Sequence, residues 1–268
     1  MKNKKLIVIV LTVVIFLTAA LLGFTTVYRI DGVNLQISLY SDEAKAEGAQ
    51  LEEKLNGLYV GENLVFASPE AAEEVFADYP YFRMAEFKKE YPNKLVIVAK
   101  EDVEVYAFES GSQYYIVGLD GTILGVRDNP VNRSDGGNNV LVKGVTVSGQ
   151  KGEKISGDDC LNALIEAGQA ISACVDGVRS NFTEIRVEKP TSDPSQTIFR
   201  IKTRETVNLY IRNPYSKTQE KATAIVTAYL GLEDGQRLCG MLLADEGTDG
   251  TVLAKHYNSD TLAQYFND

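Results

Sequence analysis

A long apolar run near the N-terminus restricts the fold of this chain more than any other feature. The run extends from Leu6 to about Val27 without a charged residue. It follows three lysines, Lys2, Lys4 and Lys5. About 20 apolar residues can cross the hydrocarbon core of a bilayer as a helix, which satisfies its own backbone hydrogen bonds in lipid. Because lysines favour the cytoplasmic side, the sequence predicts a cytoplasmic tail over 1–5, a transmembrane helix over 6–27 and an extracytoplasmic remainder.

A cleaved signal peptide is the alternative interpretation of this run. Signal peptides have a shorter apolar core, of about 7–15 residues, followed by a small-residue cleavage site. Here Ala19 and Ala20 are followed by Leu21, Leu22 and Phe24 instead of a polar cleavage region, which favours an anchor. A single anchor with so short a tail excludes a channel and a cytoplasmic activity.

The remaining chain is long enough for two domains of about 100 residues each. The formal net charge is −10. Nucleic-acid binding requires clustered lysine and arginine, so this charge argues against a nucleic-acid partner.

The three cysteines do not form a complete disulfide framework, because their number is odd. Cys160 and Cys174 are predicted to lie near opposite ends of one helix, about 21 Å apart and beyond disulfide reach. We interpret these two and Cys239 as small buried apolar residues. A Cys174–Cys239 bridge is the alternative.

The region over 28–106 is predicted to form a β-α-α-β-β domain. Apolar residues alternate with polar ones from Val33 onwards, which is typical of a strand. Ser68 followed by Pro69 is a strong helix start, and Pro80 ends that helix. The predicted elements are a strand over 33–40, a helix over 41–55 capped by Ser41 and Asp42, a helix over 69–79, and strands over 84–90 and 95–101.

The region over 107–256 begins with a predicted pair of strands between 107 and 126. Their turn is placed at Asp120-Gly121, because this dipeptide favours the positive φ angles of a two-residue hairpin. Polar residues with a proline and two glycines predict a loop over 129–139.

Two helices and five strands are predicted in the rest of this second, mixed α/β-sheet domain. One helix is placed behind a capping box of Ser156 and Asp159, the other behind Ser216 and Gln219. Their apolar faces are Leu161, Leu164, Ile165, Gly168 and Ile171, and Ala222, Ile225, Val226 and Tyr229. The strands are placed over 182–188, 197–203, 207–211, 237–244 and 251–255. Residues 257–268 are predicted to form a flexible tail. The fold class is therefore α+β.

Several motifs resemble the bacterial cell-division proteins of the FtsQ/DivIB family. Three of them resemble the family's POTRA domain: Gly61-Glu62-Asn63-Leu64, Tyr79-Pro80-Tyr81-Phe82, and the segment from Tyr91-Pro92-Asn93-Lys94 through Val98 to Glu101. The hairpin around Asp120-Gly121 resembles the start of the family's β domain. The layout of short tail, one membrane helix, POTRA domain and β domain is similar as well.

This resemblance implies a non-enzymatic scaffold at the division septum of the cell membrane. The implied partners are the bitopic division proteins FtsB/DivIC and FtsL, docked by strand addition at the last strand of the β domain. Contact with peptidoglycan is a further implied possibility. The implied partner residues are Thr251, Val252, Leu253, Ala254 and Lys255, with Tyr229 on the neighbouring helix. The alternative is an ordinary last strand that closes a sheet.

No catalytic, cofactor or metal site is predicted. Ser148 and Lys151 match S-x-x-K, but no companion motif of a penicillin-binding protein accompanies them. The only histidine, His256, is interpreted as solvated. The segment 245–250 lacks the spacing of a calcium loop. Glu86, Glu90 and Glu101 could suggest paired carboxylates of a glycosidase, but the alternation Glu86-x-Lys88-x-Glu90 is interpreted as an exposed strand face. A membrane-tethered wall enzyme or ligand sensor, and a POTRA-bearing translocation or sporulation protein, are the alternative functions.

Overall fold

The computed structural model describes residues 2–38 and 42–262, and it begins with a 26-residue helix, α1, over Lys2–Val27. Residues Val10–Val27 of this helix have a mean hydropathy of 2.4 and none of this segment is buried against the protein. The helix is therefore long and apolar enough to cross a membrane, although signal sequences have the same properties. The helix starts at Lys2, so residues 2–5 are helical.

Contacts divide the chain into two units, Met1–Asp102 and Val103–Asp268. The sequence predicts this boundary at 106/107, and the structure places it four residues earlier because the strand from Glu104 belongs to the second sheet.

The first unit has the predicted β-α-α-β-β order. Its elements after α1 are β1 (Gly32–Ser38), α2 (Asp42–Tyr59), α3 (Pro69–Ala77), β2 (Phe82–Glu90) and β3 (Lys94–Glu101). The sheet order is β1-β3-β2, in which β1 is parallel and β2 antiparallel to β3. The predicted end of β1 at 39–40 and the predicted cap at Ser41 lie outside the described residues.

The apolar stripes of α2 and α3 pack onto this three-stranded sheet. Ala72 and Phe76 of α3, and Tyr79 after it, are buried in this core, and Val75 is half-buried against it. Helix α2 continues to Tyr59, beyond the predicted end at residue 55, so Gly57 lies within the helix. The turn after α2 contains Gly61, whose φ of +93° suits a residue without Cβ.

The second unit contains a sheet of nine strands. The strands of this unit are β4 (Glu104–Ser110), β5 (Gln113–Gly118), β6 (Ile123–Arg127), β7 (Val140–Lys143), β8 (Val147–Ser148), β9 (Ser156–Gly157), β10 (Phe182–Glu188), β11 (Ile198–Thr203), β12 (Asn208–Arg212), β13 (Met241–Glu246) and β14 (Val252–Tyr257). The order in the large sheet is β14-β13-β12-β11-β10-β7-β4-β5-β6, and β8 pairs with β9 separately. Strand β7 is parallel to both neighbours, and β12 is parallel to β13.

Three strands, not the predicted two, occupy the start of this unit. The additional turn lies between β4 and β5, where Gly111 has a φ of +63°. The predicted turn at Asp120-Gly121 correctly separates β5 from β6, and the loop over 129–139 is confirmed.

Four α-helices complete the described part of the second unit: α4 (Leu161–Ser172), α5 (Val178–Asn181), α6 (Thr218–Leu230) and α7 (Asp234–Arg237). The apolar faces of α4 and α6 are buried as predicted and share the main core with one face of the sheet. Both predicted capping boxes are wrong. Ser156 lies in β9, and Ser216 donates its hydroxyl to Glu246 at 2.7 Å. The residues at the N-cap positions are Cys160 and Lys217.

The cysteines and the start of the tail differ from expectation. All three cysteines are free thiols; Cys160 is buried, Cys174 is half-buried, and Cys239 is exposed and not buried as predicted. In place of a flexible tail, Leu262 packs against Tyr210 on the sheet face opposite the main core. The Tyr210 hydroxyl donates to Asp260 at 2.8 Å. Residues 263–268 lie outside the described part of the chain.

Candidate partner-binding edge

Strand β14 forms one end of the nine-stranded sheet. It pairs antiparallel with β13 over Val252–Tyr257, with Val252 opposite Glu246 and Tyr257 opposite Met241. Among the described residues no strand pairs with its other side. An edge of this kind carries unpaired backbone N–H and C=O groups, to which an extended segment can add.

The loop before β14 determines which backbone groups face this open side. Gly247 donates its N–H to the carbonyl of Thr251 at 2.8 Å, and Gly250, with a φ of +79°, donates to the carbonyl of Gly247 at 2.9 Å. This is a three-residue hairpin loop closed by the hydrogen-bonded pair Gly247–Thr251. Hydrogen-bonded and non-hydrogen-bonded pairs alternate along an antiparallel ladder.

The alternation assigns outward-facing groups to every second residue of β14. Leu253, Lys255 and Tyr257 exchange hydrogen bonds with β13, whereas Val252, Ala254 and His256 direct their N–H and C=O groups away from it. Three donors and three acceptors are thus presented in a row at the edge.

The side chains of β14 alternate between the two faces of the sheet. Ala254 packs against the main core under the helices and is half-buried, as are Val252 and His256. Leu253 and Tyr257 are 49% and 41% exposed on the opposite face. Lys255, between them, is also exposed. The edge therefore combines open backbone with a partly apolar exposed face.

The loop at the start of β14 is held by its own polar side chains. Thr251 lies just before the strand and donates its N–H and hydroxyl to Asp249 Oδ1 at 3.0 and 2.7 Å. These two bonds lower the pKa of Asp249. The hydroxyl of Ser216, with Lys217 at 3.4 Å, lowers the pKa of Glu246.

The carboxylates of this loop are thus directed to partners within the protein and do not converge as a calcium loop would. Asp245 pairs with Arg212 at 3.2 Å. Among the described residues no cluster of three histidine, cysteine or acidic side chains could hold a metal ion.

The structure places Tyr229 away from the exposed edge. Its side chain is 3% exposed in the main core, its hydroxyl donates to Glu205 at 3.0 Å, and Arg237 lies over its ring at 5.4 Å. Burial raises the pKa of Tyr229 to about 12. The helical spacing of apolar residues correctly predicts that Tyr229 faces the core. Because it is buried there, Tyr229 is not part of the exposed edge. The other five predicted residues, 251–255, do lie on or next to β14.

His256 is half-buried in β14, and its buried Nε2 atom has no hydrogen-bond partner within the described part of the chain. The interpretation of a solvated histidine is therefore wrong, because the strand continues to Tyr257 and the tail after it does not start at His256.

The edges at β6, β1 and β2 are partly covered or carry charge. The loop after β8 covers the start of β6, where Ile123 donates to Glu153 at 2.8 Å and accepts from Gly152 at 2.8 Å. In the first unit, the Asn56 side chain accepts the N–H of Val33 at the start of β1. Strand β2 carries a row of charged side chains, Glu86, Lys88 and Glu90, which discourages strand pairing.

The sequence motifs considered for catalysis are not assembled into sites. Ser148 lies in β8 with its hydroxyl 3.1 Å from that of Ser156, and Lys151 follows in a turn, so the pair lacks the helical spacing of the motif. Glu90 and Glu101 lie at opposite ends of the β2–β3 ladder, about 25 Å apart by strand rise. An open cleft lined by Asp120, Lys154 and residues of α4 is occupied at its rim by the ion pair of these two residues.

No protein-family model matches this sequence, and no curated protein matches it.

Proposed function

We propose that this chain is a single-span membrane scaffold of the bacterial division machinery, similar to the FtsQ/DivIB proteins. In this proposal the first unit is a POTRA-like domain, the second is the β domain, and both lie outside the cytoplasm at the septum. The β-α-α-β-β order with sheet order β1-β3-β2 and the long apolar helix α1 support the assignment. The open edge of β14 is the observation that carries the docking role.

The edge is suited to capture an extended segment of another chain. Its six outward groups at Val252, Ala254 and His256 would pair with the backbone of the added strand, which gives affinity. Leu253 and Tyr257 would contact alternate side chains of that strand, which gives specificity. The proposed partners are the FtsB/DivIC-like and FtsL-like bitopic proteins of the same cell.

Ala254→Pro tests the docking role. Proline removes one outward donor and is tolerated where a strand N–H faces away from the sheet. It leaves one carbonyl of the added strand without a donor, which costs about 1–3 kcal/mol. We therefore expect roughly a tenfold or greater loss of affinity for the partner. Affinity is measured between the full chain and each full-length candidate partner in a shared lipid nanodisc.

Two control variants bracket this test. Ala254→Gly removes the same side chain but keeps the amide, so it should retain binding. Lys255→Pro removes an N–H that donates to β13 and should destabilise the sheet far more than Ala254→Pro. Wild-type affinity for the partner in folded Ala254→Pro protein would contradict docking at β14. A fluorescent fusion that stays evenly distributed around dividing cells would contradict the septal role.

A further inference from the structure

Four aromatic side chains form a cluster where α1 meets the first unit. Phe24 lies 5.1 Å from Tyr28 and 6.3 Å from Phe66, and Tyr28 lies 5.8 Å from Tyr91, all measured between ring centroids. Phe66 is 76% exposed and Tyr91 is 60% exposed. The exposed ring of Phe66 therefore contacts Phe24 in the last part of α1, and that of Tyr91 contacts Tyr28 directly after it.

The helix enters the first unit without a loose linker. Directly after α1, the carbonyl of Tyr28 accepts the N–H of Leu64 at 2.7 Å. Ile30 is 1% exposed in the core and donates its N–H to Glu62 at 2.8 Å. Asn63 also donates its side-chain amide to the carbonyl of Phe24 at 3.3 Å. The turn that carries Phe66 is thus bonded to the last turn of the helix.

The turn itself is well determined by local hydrogen bonds. The side chain of Asn63 accepts the N–H of Val65 at 2.9 Å, and its carbonyl accepts those of Phe66 and Ala67 at 3.0 and 3.2 Å. Opposite it, Lys89 donates to the carbonyl of Val65 at 2.9 Å. Phe66 is thus held exposed by a turn that hydrogen bonds fix in place. A surface that faces only water gains nothing from an apolar ring held in this way.

The depth of this cluster follows from the apolar span. Phe24 lies within Val10–Val27, about 4.5 Å of helix rise before its end. The 26 residues of α1 measure about 39 Å, against about 30 Å of hydrocarbon, so the last turn reaches the headgroup layer. Phe66, in ring contact with Phe24, must then lie at the same level. Aromatic rings favour this interfacial layer.

We propose that Phe24, Tyr28, Phe66 and Tyr91 form an aromatic patch that inserts into the phospholipid headgroup layer and seats the first unit directly on the membrane. The inference rests on the membrane anchoring in the proposed function. The chain carries a net charge of −10, and exposed Glu62 lies beside exposed Arg29 near the patch. Ring burial, not attraction to anionic lipid, therefore provides the contact, and added salt should not release it.

Tryptophan reporters test this placement, because the natural chain contains no tryptophan. Phe66→Trp and Tyr91→Trp are compared with Ala77→Trp, an exposed position at the far end of α3 in the same unit. Each full-length variant is reconstituted in vesicles of phosphatidylcholine and phosphatidylglycerol that contain lipids brominated close to the headgroup. Flotation after alkaline extraction reports anchoring separately.

The proposal expects blue-shifted emission at positions 66 and 91, with bromine quenching severalfold stronger than at position 77 and unchanged by salt. If the protein floats with the vesicles but quenching is equal at the three positions, the aromatic patch is overturned and the anchor is left intact. Loss of flotation after alkaline extraction would overturn the anchor, and the patch with it.

Discussion

The contact between Tyr106 and Gly168 should be the most sensitive point in the core beneath the large sheet. Tyr106 on β4 is fully buried, and its hydroxyl has no hydrogen-bond partner among the residues that the structure describes. Burial raises the pKa of Tyr106. A Cβ added to Gly168 on α4 would lie 1.9 Å from that hydroxyl oxygen and 3.0 Å from the ring carbon Cζ. The glycine therefore makes room for an unsatisfied hydroxyl.

Three variants separate the two contributions. Tyr106→Phe removes a buried group that costs about 1–3 kcal/mol when unsatisfied, so it should stabilise the protein by about 1 kcal/mol or more. Gly168→Ala gains about 1 kcal/mol of helix propensity but meets an overlap of up to about 3 kcal/mol, a net loss of about 2 kcal/mol. With the oxygen absent, the double variant keeps only the 3.0 Å contact with the ring. It should therefore be little less stable than Tyr106→Phe alone. The expected coupling is about 2 kcal/mol.

Urea unfolding of the full chain in detergent measures these free energies, with hydrogen exchange of β4 and α4 peptides to assign the transition to the second unit. A Tyr106→Phe variant that is less stable than the natural chain would refute the unsatisfied hydroxyl. A coupling below about 0.5 kcal/mol, the usual limit of additivity, would refute the steric contact.

Two further substitutions test the site and its electrostatics. Partial burial raises the pKa of Asp120, but the hydrogen bonds from Lys154 and Thr122 lower it further, so its folded pKa lies below the ordinary value. This stabilisation is present above the unfolded pKa of about 3.9 and is lost as pH falls through the folded pKa. Asp120→Asn should therefore lower the unfolding free energy by less than about 1 kcal/mol at neutral pH, because the Lys154 side chain is 63% exposed, and by nothing in strong acid. Urea titrations across this pH range measure the difference. Tyr229→Phe should cost about 1 kcal/mol through the lost bond to Glu205 and leave partner affinity unchanged, which the nanodisc assay measures; a loss of affinity would return Tyr229 to the interface.

The parts of the fold that sequence predicts well are those set by local periodicity. Leu161, Leu164 and Ile171 on α4, and Ile225 and Val226 on α6, are buried as their helical spacing predicts. The spacing of apolar residues is enough because each helix has only one face that can meet a sheet.

The errors arise where distant residues take over a local signal. Ser216 has the sequence context of a cap, yet Glu246 from β13 takes its hydroxyl. Tyr229 was assigned to the edge by resemblance, although its spacing on α6 directs it into the core. Asn208 and Tyr210 on β12 bind Asp260 and so hold a segment whose composition alone predicts a tail.

The location of the open edge could be predicted, but the residues whose backbone groups face outward could not. A last strand after a turn rich in acids and glycines suggests β14. Which amides face outward depends on the hairpin loop, and Gly250 at a φ of +79° places the closing pair at Gly247 and Thr251. A loop one residue shorter would direct Leu253 and Lys255 outward instead, and a different proline variant would then block the edge.

The modest affinity expected for strand addition at this edge is the reason to measure partner binding in a membrane. Six outward backbone groups contribute about 0.5–1.5 kcal/mol net for each hydrogen bond, whereas association itself costs about 4–15 kcal/mol. The exposed faces of Leu253 and Tyr257 add apolar contact, but the sum is modest for two chains free in solution. If α1 and the partner's own helix lie in one bilayer, the second contact becomes effectively intramolecular, and weak pairing suffices. An edge this short is therefore suited to a tethered partner, and its exposed Lys255 limits pairing with chains that are not held beside it.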